Sequence, residues 1–143
     1  MIEFHAGDIV SCKDERYFAQ LGLKKNVGIV LEAKKTSCKV MFDDFGGGYF
    51  LREEYLKPAD PMSVRAREAG EAILTVSELA RLLDAESIEV EKKGKRIRLS
   101  LFTGELSLEQ LDQLRKKLSA RLERLQILPH MMAELQVQLE YRV

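Results

Sequence analysis

The sequence predicts an α+β protein in two parts. A small β-barrel spans residues 1–57, a linker covers 58–62, and an α-α-β-β-α-β domain with a small three-stranded sheet fills 63–143. Three observations carry this reading. Short apolar runs broken by turn residues fill the first part. Pro58 and Pro61 then bracket a change of periodicity. The stretch from Ser87 to Leu125 passes from strict alternation to leucines three and four apart.

In the first part, residues 8–12 form a short strand after a Gly-Asp opening, and 13–23 a loop with a single helical turn. Residues 27–32 make a second strand, in which Gly28 permits a bend or close packing. Residues 38–42 make a third, with Cys38, Val40 and Phe42 on one face. A hairpin tip at 43–48 leads to a fourth strand at 49–51, and a tight turn at 52–56 to a last short segment.

The Gly7-Asp8-x-Val10 opening, the Val27-Gly28-x-Val30 centre, the Val40-x-Phe42 strand and the Glu53-Glu54-x-Leu56 turn together resemble SH3-like small barrels. These include KOW and Tudor domains and bacterial accessory subunits. The resemblance covers residues 1–57 and implies a barrel whose loops hold a partner; its motifs encode barrel geometry and not chemistry.

In the second part, helices are predicted over 63–72 and 76–84, the latter opened by Thr75 and Glu78 as a capping box. Strands at 87–92 and 95–102 form a hairpin. With Lys93-Gly94 as the turn, Val90 faces Ile97, Ile88 faces Leu99, and Glu91 and Glu89 face Arg96 and Arg98. Ser107 and Gln110 cap a helix over 107–127, whose leucines at 108, 111, 114, 118, 122 and 125 form one stripe, and Pro129 stops it. A final strand over 133–142 alternates Leu135, Val137, Leu139 and Tyr141 with polar residues, and runs parallel to the second hairpin strand if the helix is a crossover.

Composition narrows the function. Apolar residues at 45% and charged residues at 32% fit a soluble globular chain. Lys and Arg balance Asp and Glu at 23 each, so no global field draws nucleic acid or membrane. Residues 1–60 carry 9 bases and 10 acids and residues 61–143 carry 14 and 13, so neither part is polarised. No apolar run is long enough to span a bilayer, and the N-terminus lacks a secretory pattern. Two cysteines without close partners fit reduced thiols in a cytoplasm.

Candidate chemistry is sparse. Residues 75–83 resemble the first helix of helix-turn-helix DNA-binding domains, but a hairpin follows where the recognition helix belongs, so a packing helix is the plainer reading. Lys92, Lys93 and Lys95 form a basic hairpin tip that meets either solvent or phosphates. Cys12, Cys38, His5 and His130 lack metal-motif spacing, and both thiols read as small buried residues. No metal site, cofactor site or catalytic constellation is read from the sequence.

The best binding candidate is Asp43, Asp44, Phe45 and Tyr49, where acids and aromatics at a barrel edge would line a groove. The plainer alternative keeps Phe42 and Phe50 in the core. The expectation is a non-enzymatic protein-binding or assembly module. Another protein would be held by the barrel loops, with a homodimer through a sheet edge as a further partner and no membrane. Nucleic-acid binding through the barrel and the lysine tip is the alternative, and an enzyme with an unrecognised site the third.

Overall fold

The computed structural model describes residues 3–42, 45, 48–59, 70–131 and 134–143. Strand β1 (Ile9–Cys12) leads through helix α1 (Glu15–Gln20) to the meander β2 (Gly28–Ala33), β3 (Ser37–Phe42) and β4 (Tyr49–Arg52). A 3-10 turn, Glu53–Tyr55, returns the chain to β5 (Leu56–Pro58), which pairs with β1. Helix α2 (Gly70–Leu82) precedes the hairpin β6 (Ser87–Lys93) and β7 (Arg96–Thr103). Helix α3 (Leu108–Leu118), a 3-10 turn at Ser119–Arg121, and the antiparallel strands β8 (Leu122–Pro129) and β9 (Leu135–Arg142) complete it.

The nine strands among the described residues belong to one sheet, in the order β4-β3-β2-β6-β7-β9-β8, with β1 on β2 and β5 on β1. This corrects the expected fold class of a barrel joined to a separate three-stranded domain. The joint is a single bridge, Glu32 opposite Ser87, between β2 and β6. No turn signal marks such a pairing, because it joins residues far apart in sequence.

Packing follows the same plan. Helix α2 buries Ile73, Val76, Leu79 and Ala80 in an interior shared by Ile9, Ile29 and Met41 from the early strands and by Leu99, Leu139 and Tyr141 from the late ones. The other face of the early strands carries a second core of Val10, Val30, Val40, Phe42 and Leu56. Phe18 of α1 closes it, 5.5 Å from the Phe42 ring. Gly28 lies where close packing was expected: a Cβ there would stand 2.7 Å from the Met41 carbonyl oxygen.

Several elements differ from expectation for identifiable reasons. The helix expected over 107–127 keeps its Ser107–Gln110 capping box but ends at Leu118, and Ser119 at φ 49 turns the chain out of it. Residues 122–129 become β8. Leu122 and Leu125 are three apart, which fits a helix; in the strand a bulge between Leu122 and Arg124 brings both to the core side. Pro129 therefore ends a strand and not a helix. With β8 inserted, β9 returns antiparallel to β7, not parallel.

The hairpin turn is Gly94-Lys95, since Lys93 pairs with Arg96 and Val90 with Leu99. Gly94 at φ 59 takes the first turn position, as a type II′ turn requires. The shift is two residues, so each side chain keeps its face but the expected acid–arginine pairs are lost. Arg98 instead binds Glu140 at 3.0 Å, and Arg96 binds Glu123 at 3.3 Å.

The helix expected over 76–84 runs Gly70–Leu82, so Thr75 is a buried interior residue and not a cap. Glu78 of α2 pairs with Lys117 of α3. The expected linker begins inside β5 at Pro58, and Ala59 donates its N–H to the Ile9 carbonyl at 2.8 Å. The rest of the linker, and the expected helix 63–72 before Gly70, lie outside the described residues.

Candidate functional site

Strand β4 forms one end of the sheet and is hydrogen-bonded on one side, to β3, among the described strands. Alternation sends Leu51 inward, and Tyr49 packs beside it, its ring 5.9 Å from Phe42. Phe50 therefore faces out and is 62% exposed, a large apolar group left in water. Lys39 stands directly opposite it on β3.

Two ammonium groups lie over that ring. Lys34 Nζ lies 5.1 Å from the Phe50 centroid and Lys39 Nζ 5.8 Å. Lys34 is set by the β2–β3 turn, where its N–H donates to the Ser37 carbonyl at 2.8 Å. The Lys39 stem runs over Gly48, where a Cβ would lie 2.6 Å from Lys39 Cγ. At an exposed site each cation–π contact contributes about 0.5–1 kcal/mol, enough to hold the lysines near the ring.

The residues singled out in the sequence fall on different surfaces. Phe45, at φ 52, is half-buried against the shared interior, whereas Tyr49 packs against the second core. Asp43 and Asp44 lie outside the described residues. Lys92 Nζ sits 5.3 Å from the Phe45 ring, so the lysine hairpin and the β3–β4 tip meet. Lys93 pairs with Glu91 at 3.1 Å, and Lys95 is exposed while its carbonyl accepts the Val143 N–H. Phe50 is not a core residue, contrary to the plainer alternative. Its face was readable from the alternation: Cys38, Val40 and Phe42 share the second-core side, so Lys39, and Phe50 opposite it, lie on the other side of the sheet.

A second depression, a cleft of about 920 Å³, lies between the N-terminal segment, the end of α2 and the β7–α3 connection. Asp8 pairs there with Arg81 at 3.6 Å and accepts the His5 backbone N–H at 2.8 Å. Glu86, on its rim, is raised above the usual carboxylate range by a hydrogen bond to Glu134 and by that neighbour's charge.

The thiols are poor nucleophiles. Cys12 and Cys38 are buried in the second core, and burial, aided by the Glu15 carboxylate, pushes Cys12 up to about 11. Cys38 is raised by burial first and then by Glu53 and Asp8. Among the described residues no group of three or more His, Cys, Asp or Glu is placed to hold a metal ion. No described helix is long and apolar enough to cross a membrane.

No family model, curated protein or solved structure matches this chain. The site must be read from its own chemistry. An exposed ring beside two cations on an open strand edge offers backbone hydrogen bonds, an apolar anchor and positive charge together.

Proposed function

We propose that this chain is a non-enzymatic binding module that takes an extended, acidic segment of another protein along the open edge of β4. The observation that carries this reading is Phe50, 62% exposed with Lys34 and Lys39 over its ring, on a strand at the end of the sheet. Strand addition supplies main-chain hydrogen bonds, and side chains at alternate positions supply selectivity. Phe50 would anchor an apolar residue of the partner, and the two lysines would meet acids two positions away.

Buried, protonated thiols support the non-enzymatic reading and fit a reducing compartment such as the cytoplasm. Fluorescence anisotropy with a labelled peptide alternating Val with Glu tests the proposal. Binding should weaken at least roughly tenfold in Phe50→Ala and in Lys34→Glu/Lys39→Glu. Equal binding by all three proteins contradicts it.

The second reading is single-stranded nucleic acid, favoured by lysines lying over both Phe50 and Phe45. Glu32 opposite Lys39 weakens it, since it puts a carboxylate beside the cationic strip. Steeply salt-dependent binding of an oligothymidylate in preference to the peptide would decide for this reading.

A further inference from the structure

The far end of the same sheet carries a different device. Strand β8 is hydrogen-bonded to β9 alone among the described strands, so an eight-residue strand turns a free edge outward. Natural edge strands are usually blunted by lysine, proline, a bulge or extreme shortness. Here the blunting sits at the ends: the bulge between Leu122 and Arg124, and Pro129. The segment from Arg124 to Leu128 contains neither lysine nor proline. Ile127 is 43% exposed and Leu128 39%, although Ile127 shares the core face with Leu125 and Val137. The interior thus ends at β8 with its last apolar row uncovered.

We propose that the occupant of this edge is a second copy of the chain, paired antiparallel through β8 about a two-fold axis at Gln126. The sequence is self-complementary in that register. Leu125 falls opposite Ile127 of the partner subunit on the core face, and Ile127 opposite Leu125 of the partner subunit. On the outer face Arg124 falls opposite Leu128 of the partner subunit, and the two Gln126 amides meet on the axis. No like charges face each other. A register centred on Arg124 would place two guanidinium groups together and is disfavoured. The acid at the bulge does not intrude, because Glu123 turns back over its own sheet to Arg96 at 3.3 Å and Arg142 at 3.9 Å. A formal net charge of zero leaves no global repulsion between copies. Closed two-fold pairing removes both β8 edges and joins two sheets into one.

The test uses the full chain. Sedimentation equilibrium from micromolar to near-millimolar protein should show a monomer–dimer equilibrium. Ile127→Lys, checked for folding by circular dichroism, should weaken it roughly tenfold or more, since two symmetric contacts are lost. Gln126→Cys supplies a second, independent readout: on mild oxidation it should form a disulfide-linked dimer, whereas Phe50→Cys at the opposite sheet end should not. The native thiols are buried and do not compete. A monomer throughout the concentration range overturns the proposal. So does a dimer indifferent to Ile127→Lys, or one cross-linked by Phe50→Cys and not by Gln126→Cys. Peptide binding at β4 is measured separately, so failure at one edge leaves the other reading standing.

Discussion

The Ser77 hydroxyl donates to the Gly7 carbonyl at 2.5 Å, tying α2 to a residue 70 positions earlier. The contact is possible because Gly7, at φ +96, has no side chain: a Cβ would stand 3.0 Å from the Ala80 Cβ. Helix and chain approach closely there, over an interior drawn from both parts of the sequence. Gly7→Ala should therefore destabilise the fold by about 2–3 kcal/mol through backbone strain and crowding. Ser77→Ala should cost about 1–2 kcal/mol by leaving a buried carbonyl short of a partner. Urea midpoints at constant m-value check both.

Asn26 acts as a detached piece of strand. It is buried; its Oδ1 accepts the Cys12 N–H at 2.7 Å and its Nδ2 donates to the Cys12 carbonyl at 3.0 Å. Asn26→Asp keeps the shape but sets a carboxylate oxygen against that carbonyl. The expected loss is about 3 kcal/mol at neutral pH, with part regained in acid as the carboxyl protonates. Chemical denaturation at two pH values measures it.

The thiols make a prediction about alkaline pH. Cys12 is raised to about 11 and Cys38 is raised in the same direction, so the folded chain holds its protons longer than the unfolded chain. Their stabilising effect is complete below the unfolded value near 9 and is lost as pH rises through the folded value. Between these limits stability should fall by up to about 1.4 kcal/mol per pH unit for each thiol. Cys12→Ala should flatten that slope. In the native protein at pH 8, a thiol-reactive disulfide reagent should react at the rate of global opening.

The Tyr141 hydroxyl is buried and finds no hydrogen-bond partner among the described residues. Burial also drives its ionisation upward, with Arg121 opposing weakly. Removing an unsatisfied hydroxyl while keeping the ring should leave stability unchanged or raise it by about 1 kcal/mol. Thermal melting of Tyr141→Phe tests this.

Alternation made much of the fold legible. The faces of β3, β7 and β9 were readable because one residue in two is apolar, and the α3 start was readable from Ser107 and Gln110. Strand β8 was not, because the bulge hides a strand behind helical leucine spacing at Leu122 and Leu125. The hairpin register slipped because Gly94 fits either turn position by sequence, and only the pairing of Lys93 with Arg96 distinguishes them. The union of the sheet rests on one pair, Glu32 and Ser87, whose side chains carry no pairing signal. The candidate site is half visible in the sequence: the aromatics near the β3–β4 tip stand out, but Lys39 meets Phe50 only through the β3–β4 register and Lys34 reaches it from the β2–β3 turn.

The shared interior predicts that the two parts of the chain unfold together. The direct measurement is urea unfolding followed at both ends of the molecule: exposure of the Cys12 and Cys38 thiols for the early strands, and amide exchange at Leu99 and Leu139 for the late ones. One coincident transition is expected at both sets of positions. Loss of protection at the cysteines while Leu99 and Leu139 stay protected would contradict it.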